Sequence, residues 1–322
     1  MSRAQTTGTR PSAEAAASAD RPRLVVGLDA GASKTRAFAV TREGATVGRG
    51  AGGGANLLTS SDPGGSIAAA LSEALAGRTP EAVVLSCAGG DREADRARGE
   101  QILVGLVGPG VRVAVTHDGQ AALYAGNPQG CGVVLIAGTG SVAYGRNAEG
   151  EEQRAGGWGY LAGDEGSAVW LGLEGLRAVA HHWDGRGSPT SISDHLQREL
   201  GVHDFHDVLP QLYGRPHPAP AILACVRAVA LAAAEGDPIA IAIVDRAGDE
   251  LARSAAVVAH GLRIADGSVY LAGGVFESVS LLQHAVRRKL ADVLPQAAVE
   301  AVHEEPAMGA ARLAARLAWG AA

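Results

Sequence analysis

The sequence predicts an α/β protein of two lobes with a cleft between them, and three observations support this prediction. Two apolar runs, Leu24–Leu28 and Gly132–Ala137, read as buried strands, and each ends in a turn of glycine and hydroxyl residues. Each turn is followed by another strand-like segment, at Arg36–Val40 and at Val142–Arg146, so both halves of the chain open with a β-hairpin. Helical and strand patterns then alternate in both halves, as expected for a mixed α/β fold.

Length and composition favour a globular protein whose partner is a small molecule. The 322 residues suffice for one large or two medium domains, and 47% of them are hydrophobic. A net charge of -6 without a long basic run argues against nucleic acid or an anionic membrane surface as partner. No apolar run is long enough to span a bilayer. The three cysteines are widely spaced and form no disulfide framework, which favours a reduced cytoplasmic location.

The chain divides into a tail and two lobes. Residues 1–21 are rich in Ala, Ser and Thr and contain no apolar stretch of the kind found in secretion signals, so we expect a disordered tail. Gly126–Gly130 reads as a crossing between the lobes, which gives an N-lobe at residues 22–126 and a C-lobe at residues 127–305. A last helix within residues 306–322 is expected to pack back on the N-lobe.

The remaining elements follow from apolar periodicity and from turn residues. Helical spacing predicts helices at Ile67–Ala76, Glu93–Val107, Gln120–Ala125, Ala168–His181, Ala221–Glu235, Ile239–Leu262, Ser280–Val293 and from Met308 to about Trp319. Short apolar runs predict further strands at Ala45–Arg49, Ala82–Cys87, Val111–Val115 and Val269–Ala272. Glycine-rich loops are expected at Gly50–Asn56 and Gly156–Gly166, and short helices with His- and Pro-rich loops over residues 184–220.

The first turn has the composition of a phosphate-binding hairpin, with Gly31, Ser33, Lys34 and Thr35 as candidate contacts. Glycine lets backbone N–H groups approach an anion closely, and hydroxyls add donors. The turn is not a P-loop, because a strand rather than a helix follows and no glycine precedes the lysine. Asp29, at the end of the preceding strand, suits a hydrated Mg²⁺. The alternative is a plain hairpin whose polar residues have no binding role. Lys34 is then either a phosphate contact or a lysine without a function in the turn.

Two further turns extend this pattern. Gly138, Thr139, Gly140 and Ser141 repeat the design of the first turn after the second buried strand. A third strand ends in Gly273-Gly274, a pair that could admit a flat adenine ring. Two phosphate turns and a late glycine pair resemble the arrangement in the actin, hexokinase and Hsp70 ATPase superfamily. That resemblance implies a ribonuclease H-like fold with an interlobe cleft and ATP with Mg²⁺ as cofactors.

One segment narrows the resemblance within the superfamily. The run from Gly156 to Ser167, GGWGYLAGDEGS, resembles the signature of N-acetylglucosamine kinases and of the related BadF/BadG/BcrA/BcrD ATPase family. Ala55-Asn56, Asp118 and the run from Glu305 to Ala310 resemble that family too, so the likeness covers residues 23–318. It implies ATP-dependent phosphorylation of the 6-hydroxyl of N-acetylglucosamine, with glucosamine and N-acetylmuramic acid as alternatives. Dimers are common among similar kinases, so a homodimer is a further expectation.

The resemblance also implies roles for individual residues. It aligns Asp118 with the general base of the kinases, a role in which a carboxylate accepts the proton of a weakly nucleophilic hydroxyl. A helix N-cap is the alternative for Asp118, and the adjacent His117 is interpreted as structural. Further positions match those that hold the sugar in N-acetylglucosamine kinases, with Ser141 serving phosphate and sugar together: Asn56, Gly157, Trp158 and Asp164. For Trp158 the alternative is a core aromatic, and for Asp164 it is a helix cap.

Other features disfavour rival classes. An ATP-driven activator of the same family would need cysteines for an iron–sulfur cluster, and Cys131 has no second cysteine nearby. A ROK-type sugar repressor is disfavoured because neither a helix-turn-helix nor a cysteine-rich zinc motif is present. One departure from the vertebrate kinases is Val142, which stands where they carry asparagine after the second turn.

Two polar groups are interpreted as structural. Five histidines match no strong metal-ligand spacing and read as solvated loop residues: His181, His182, His203, His206 and His217. Glu304-Glu305 reads as a polar turn between a strand and a helix.

Overall fold

The structure is a computed structural model that describes residues 23–87, 89–90, 92–213 and 219–320. The tail expected at residues 1–21 and His217 therefore lie outside the described residues. The described residues form two five-stranded sheets, with helices packed against them. No helix within the described ranges is long and apolar enough to cross a membrane.

The first sheet has the strand order β3-β2-β1-β4-β5. Its strands are β1 (Leu24–Ala30), β2 (Thr35–Thr41), β3 (Thr46–Gly52), β4 (Ala82–Cys87) and β5 (Arg112–His117). β1 and β2 form the predicted antiparallel hairpin, with Ala30 opposite Thr35. β4 and β5 run parallel to β1, so the carboxyl ends of these three strands lie at the same end of the sheet.

The second sheet repeats this plan. Its strands are β6 (Gly132–Ala137), β7 (Ser141–Arg146), β8 (Glu152–Gly156), β9 (Ser268–Ala272) and β10 (Ala298–Ala301). The order β8-β7-β6-β9-β10 matches that of the first sheet strand for strand. β6 and β7 form the second hairpin, and β9 and β10 continue in parallel. The two halves of the sequence therefore fold into equivalent sheets.

Helices flank both sheets. Those of the first half are α1 (Pro63–Leu75), α2 (Glu93–Val107) and α3 (Asp118–Gly126). The second half has α4 (Ala168–Trp183), α5 (Ile192–Leu200), a 3₁₀ turn (Phe205–Val208), α6 (Leu209–Leu212), α7 (Pro220–Ala234), α8 (Pro238–Gly261), α9 (Val275–Ser278), α10 (Ser280–Val293) and α11 (Pro306–Trp319). The long helices α4, α7 and α8 bury apolar faces in the core beside the second sheet.

Two helices connect the halves. α3 packs against α11 and against β6 and β7 of the second sheet. α11 in turn lies across β1 and β4, so the last described helix covers the first sheet. Close approach requires Gly27 in β1, because a Cβ there would overlap the backbone of Ala311 in α11. The first sheet is thus completed by the C-terminal part of the chain.

Some elements differ from the sequence-based expectations. β3 continues to Gly52, three residues into the expected glycine loop, because glycines let the strand lie directly on α1. β8 and β10 had no assignment from the sequence, because these short segments show strand structure only through pairing with β7 and β9. His181 and His182 lie in the last turn of α4 and not in a loop, so that interpretation was wrong for these two residues.

Candidate active site

The carboxyl ends of the parallel strands of the first sheet bring polar side chains together. Asp29 at the end of β1 is in register with Ser86 of β4, and Ser86 with Thr116 of β5. Asp118 follows β5 directly and is the first residue of α3. The carboxylate predicted to bind metal and the one predicted to act as base therefore lie at the same end of the sheet.

The electrostatic environment of Asp29 is unusual. Burial raises the pKa of its carboxyl to about 7, and the negative charges of Asp118 and Glu305 act in the same direction. The positive charge of Lys34 and a hydrogen bond with Ser86 oppose this rise. Such a carboxylate lacks enough neighbouring positive charge to ionise readily on its own.

The first turn is held in shape by the loop that follows β3. Gly31 N–H donates to the Lys34 carbonyl at 2.9 Å, and Ala55 N–H donates to the Gly31 carbonyl at 3.0 Å. The buried Thr35 hydroxyl donates to the Gly53 carbonyl at 2.7 Å. The exposed Ser33 and Lys34 lie at the tip. Thr35 therefore stabilises the turn, whereas the tip presents its polar groups to the exterior.

Asn56 continues this loop and shapes it locally. Its Oδ1 accepts hydrogen bonds from the backbone N–H groups of Leu58 and Thr59, at 2.9 and 3.2 Å. A Cβ on Gly89, just beyond β4, would lie 3.2 Å from the same oxygen. Asn56 is therefore fixed in orientation beside the end of β4, near the row that contains Asp29.

The start of α3 places Asp118 against the second sheet. His117 is the N-cap of this helix, and its Nδ1 accepts from Gln120 N–H at 3.3 Å, so the cap alternative for Asp118 is wrong. Asp118 Oδ1 accepts from Gly119 N–H at 2.9 Å. A Cβ on Gly119 would lie 2.7 Å from the Cβ of Tyr144 in β7. Asp118 thus lies where the two lobes meet.

The second turn is connected to the start of α4. The Gly138 carbonyl accepts from Ala168 N–H at 2.9 Å, in the first turn of that helix. The Ser141 hydroxyl donates to the Glu165 carbonyl at 2.7 Å, so it holds the loop before α4. Thr139 and Gly140 lie between these two anchors. The N–H groups of Val169 and Trp170 likewise bond to the Thr139 carbonyl and the Ser167 hydroxyl, so the start of α4 holds the turn in place.

Asp164 joins the second turn to the loop that contains Trp158. The buried carboxylate accepts from Gly159 N–H at 3.1 Å and also from the backbone of Ser141. A Cβ on Gly140 would lie 2.7 Å from its Oδ2. Burial raises the pKa of Asp164, and the backbone hydrogen bonds oppose the rise. The side chain does not cap α4, because Ser167 fills that role.

Backbone strain at Asp164 accompanies these contacts. Its φ of 60° lies in the left-handed region that non-glycine residues seldom adopt. The hydrogen bonds to the carboxylate compensate this cost, which is about 1–3 kcal/mol for such positions.

The loop between β8 and α4 exposes apolar side chains. Trp158 is 71% exposed and Leu161 is 86% exposed, so the core alternative for Trp158 is wrong. The Arg154 guanidinium carbon lies 5.1 Å from the centroid of the Trp158 ring. Gly157 lies against Val142, whose Cγ2 would be 3.1 Å from a Cβ at that glycine. Trp158 therefore presents an aromatic surface beside the turn that contains Ser141.

The glycine pair after β9 lies next to the end of β6. Gly273 has a φ of 105°, and a Cβ there would overlap the carbonyl of Ala137. Gly274 meets nothing within 4 Å of an added Cβ. The predicted adenine-binding pair thus lies beside the strand that leads into the second phosphate turn.

Sequence reasoning missed three residues near these groups. Glu305 was interpreted as part of a polar turn, yet its charge acts on Asp29 and its Oε2 lies 3.9 Å from Nε of Arg36. Ser86 looked like an ordinary residue of a buried strand, and Arg154 like a loop residue. Ser86 and Arg154 lie at the cleft only because β4 pairs with β1 and β8 pairs with β7.

The residues fit a metal ion bound mainly through water and phosphate. Among the described residues there is no group of three or more His, Cys, Asp or Glu side chains placed to hold a metal. Mg²⁺ commonly needs only one or two protein carboxylates in addition to water and substrate phosphates. The buried Asp29, with its raised pKa and Asp118 beside it, is a carboxylate that a cation would stabilise.

Two equivalent sheets connected by α3 and α11, each with a glycine–hydroxyl turn after its first strand, define the two-lobed fold of the actin, hexokinase and Hsp70 ATPase superfamily. The fold class predicted from the sequence is therefore confirmed. Within it, the profile of the BadF/BadG/BcrA/BcrD ATPase family matches residues 26–314. The chain belongs to this family, and the predicted resemblance is confirmed.

Known proteins similar to this chain carry the names of amino-sugar kinases. An N-acetylmuramic acid/N-acetylglucosamine kinase of Clostridium acetobutylicum is 31% identical over 235 residues, covering 72% of this chain and 76% of its own. An N-acetyl-D-glucosamine kinase of Dictyostelium discoideum is 30% identical over 242 residues, covering 73% and 76%. The solved structure of a candidate N-acetylglucosamine kinase from Chromobacterium violaceum has a TM-score of 0.71 at 24% identity, covering 91% of this chain and 99% of that one. The names agree with the predicted activity.

Proposed function

We propose that this protein is an ATP-dependent kinase that phosphorylates the 6-hydroxyl of N-acetylglucosamine or a related amino sugar. The observation that carries the proposal is the position of Asp118, which begins α3 beside Asp29 and against β7 of the other lobe. A base at this junction can reach a sugar in the cleft while the glycine turns bind phosphate. Family membership and the names of both curated relatives support the same reaction.

Asp118 acts as the general base in this proposal. It accepts the proton of the sugar 6-hydroxyl as the hydroxyl oxygen bonds to the γ-phosphorus of ATP. The bond from that phosphorus to the β,γ-bridging oxygen breaks, and the products are the sugar 6-phosphate and ADP. A positioned carboxylate typically contributes about 10²–10⁴-fold to such a step. Positioning and charge neutralisation supply most of the remaining acceleration.

The two glycine turns bind the phosphates in this proposal. Gly31, Ser33 and Lys34 approach from the first lobe, and Gly138, Thr139 and Gly140 from the second. Thr35, predicted as a further contact, instead holds the first turn through its buried hydroxyl. Gly273 and Gly274 border the adenine. Asp29 would hold Mg²⁺, which neutralises phosphate charge when bound. Closure of the lobes excludes water, which otherwise competes with the sugar as acceptor.

The sugar lies between the loops that contain Asn56 and Trp158. Trp158 offers an aromatic face to the ring, and Gly157 permits close approach of the backbone. Asp164 and Ser141 hold the loop and the turn in register with each other, as their hydrogen bonds indicate. Polar groups of this kind strongly reject analogues that lack the matching hydroxyls.

A coupled assay of ADP release over a panel of sugars tests the proposal. We expect N-acetylglucosamine to accelerate ADP release well above the rate without sugar, with glucosamine, N-acetylmuramic acid and glucose as comparisons. Phosphorus NMR of the product should show a 6-phosphate. If no sugar accelerates ADP release, the kinase proposal is wrong. Iron and a coloured purified protein would instead favour the ATP-driven activator.

Three coarser expectations accompany the proposal. We propose a division into an N-lobe at residues 22–126, with the C-terminal helix packed on it, and a C-lobe at residues 127–305. We also propose a cytoplasmic location and a homodimer. Limited proteolysis tests the lobe boundary, and sedimentation equilibrium tests the dimer.

A further inference from the structure

We propose that Glu152 is a positioning residue for the proposed general base Asp118, and that it acts through Gln120. Gln120 lies in the first turn of α3, two residues after Asp118. Glu152 is the first residue of β8 in the second lobe. The hydrogen bond between these two side chains fixes the start of α3 relative to the second lobe. This inference rests on the proposed kinase function and deepens it, because it names what holds the base in place.

The side-chain amide of Gln120 is held at both ends. Its Nε2 donates to Glu152 Oε1 at 3.2 Å, and its Oε1 accepts from the hydroxyl of Thr116 at 2.5 Å. An ionised carboxylate can only accept hydrogen bonds, so the amide nitrogen must face Glu152 and the amide oxygen must face Thr116. Thr116 is buried near the end of β5 in the first lobe. The three side chains therefore form a hydrogen-bonded chain from the first sheet to the second.

Glu152 is anchored within its own lobe. β8 pairs with β7, and Glu152 is directly opposite Arg146, whose Nε lies 3.8 Å from Glu152 Oε1. Residues directly opposite one another in an antiparallel pair project from the same face of the sheet. Arg146 therefore holds the carboxylate on the face of β8 that meets α3.

A second contact joins the same turn of α3 to the second lobe. The ring of Tyr144 in β7 meets the ring of His117 edge to face, with the ring centroids 4.5 Å apart. Ring contacts tolerate a range of separations, whereas a hydrogen bond is restricted in both distance and angle. The hydrogen bond of Gln120 therefore determines the position of this turn more closely than the ring contact does.

The position of this turn matters because the proposed reaction uses groups from both lobes. Asp118 belongs to the first lobe, whereas the turn proposed to bind phosphate at Gly138 belongs to the second. The distance from the base to the reacting hydroxyl and phosphorus therefore depends on how the two lobes are placed. A misplacement of about 1 Å can cost about 10²-fold in rate. Residues two apart lie on different sides of a helix, so Gln120 acts on the turn and not on the Asp118 carboxylate itself.

Exchanging the two side chains tests the connection between the lobes. Gln120→Glu alone places a second carboxylate against Glu152, and the two charges repel each other. Adding Glu152→Gln supplies an amide that can donate to the introduced carboxylate, which still accepts from Thr116. The exchanged pair therefore keeps both hydrogen bonds, with donor and acceptor reversed across the lobe boundary. Glu152→Met removes the acceptor alone, at an exposed position where a substitution should not prevent folding.

Gln197 in α5 provides a matched control. Its Nε2 donates to the carbonyl of His203 at 2.9 Å, and both residues belong to the second lobe. Gln197 and Gln120 are both half-buried. Gln197→Glu therefore loses a comparable hydrogen bond and places a carboxylate against a carbonyl oxygen, but it does so within a single lobe.

The experiment measures kcat and KM of the full chain for ATP and for the preferred sugar of the panel, with the melting temperature as a check on folding. We expect Gln120→Glu to lower kcat by on the order of 10-fold, because repulsion displaces the turn while solvent screens part of the effect. Glu152→Met should lower kcat by about fivefold, since a charge-assisted hydrogen bond at an exposed site is worth less than a buried one. KM for both substrates should change by less than about twofold, because the substrate contacts remain. The exchanged double variant should recover kcat to within about twofold of the wild type, and Gln197→Glu should match the wild type.

The outcomes separate this inference from the function on which it rests. An unchanged kcat in Gln120→Glu or in Glu152→Met overturns the inference and leaves the kinase proposal intact. A loss of kcat in Gln120→Glu that Glu152→Gln fails to recover also overturns it, since the substitution then damages α3 without involving the second lobe. A rise in KM alone overturns it as well, because it indicates a substrate contact. If the wild type phosphorylates none of the sugars, both proposals are wrong. Loss and recovery of kcat at constant KM support the inference.

Discussion

Asp29 and Asp118 lie at the same end of the first sheet, and the negative charge of Asp118 adds to burial in raising the pKa of Asp29 to about 7. Two carboxylates in this relation destabilise each other's ionised form. A bound cation reduces this repulsion between the two carboxylates, and a bound proton reduces it where no cation is present. The pair therefore couples ligand binding, protonation and the stability of the first lobe.

The stability of the ligand-free protein should depend on pH through Asp29. The folded protein retains this proton up to about pH 7, whereas the unfolded chain releases it near 3.8. Wild-type stability therefore falls as pH rises between these values, and Asp29→Asn avoids the loss. We expect the variant to be more stable at pH 8 by on the order of 1–3 kcal/mol, with the difference disappearing near pH 4. Urea unfolding from pH 4 to 8.5 measures this, and a constant difference would contradict it.

Asp118→Asn should remove the proposed base and keep the local structure, because asparagine also accepts from Gly119 N–H. We expect kcat to fall by about 10²–10⁴-fold while the affinity for sugar changes little. Rapid-quench turnover and calorimetric titration measure the two quantities. Asp62→Asn is the control, since Asp62 caps α1 in an ordinary helix start and accepts from Gly65 N–H at 2.8 Å. Full activity of Asp118→Asn would show that Asp118 is not the general base.

Asp164 should be a positioning residue whose replacement affects sugar binding through the loop. Asp164→Asn tolerates the positive φ but places an amide where Gly159 and Ser141 donate. We expect KM for sugar to rise about tenfold, which corresponds to loss of a hydrogen bond to a charged group. Asp164→Ala should lower the melting temperature further, because it adds backbone strain to the loss of both bonds. An unchanged KM in both variants would show that the loop does not depend on this carboxylate.

The two glycines after β9 should respond differently to substitution. Gly273→Ala places a Cβ on the Ala137 carbonyl and at an unfavourable φ, so we expect a loss of on the order of 1–3 kcal/mol in unfolding free energy. Gly274→Ala meets open space and should leave the melting temperature nearly unchanged. Differential scanning calorimetry compares the two variants. Equal effects on the melting temperature would mean that close contact with β6 does not matter.

The parts of the fold that could be predicted from the sequence are those with local signals. Apolar runs that end in glycine and hydroxyl residues marked both hairpins, and helical periodicity marked the long helices, so the fold and family predictions are confirmed. The identity of the site residues stays a prediction, although the structure places Asp29 and Asp118 together. Turn chemistry at Gly31 and Gly138 is local, which explains why these positions could be recognised from sequence.

The parts that could not be predicted depend on tertiary contacts. β8 is a polar segment that becomes a strand only because β7 offers an edge, so the orientation of Arg154 was beyond sequence reasoning. Glu305 acts on Asp29 only because α11 crosses β1. Neither contact has a signal in the nearby sequence. An acidic pair before a helix is more often a simple polar turn, so the local interpretation missed its electrostatic effect.

The packing of α11 on Gly27 has a consequence for synthesis. The first sheet is translated early, but the helix that covers it is encoded about 180 residues after α3 ends. At common elongation rates of about 5–20 residues per second, the nascent sheet remains uncovered for roughly 10–40 s before α11 is synthesised. During that interval its apolar face is open to chaperones and to other nascent chains. Ribosome stalling within the second half would therefore lengthen the time for which the apolar face of the first sheet is exposed. Every strand of the first sheet has already emerged at that point.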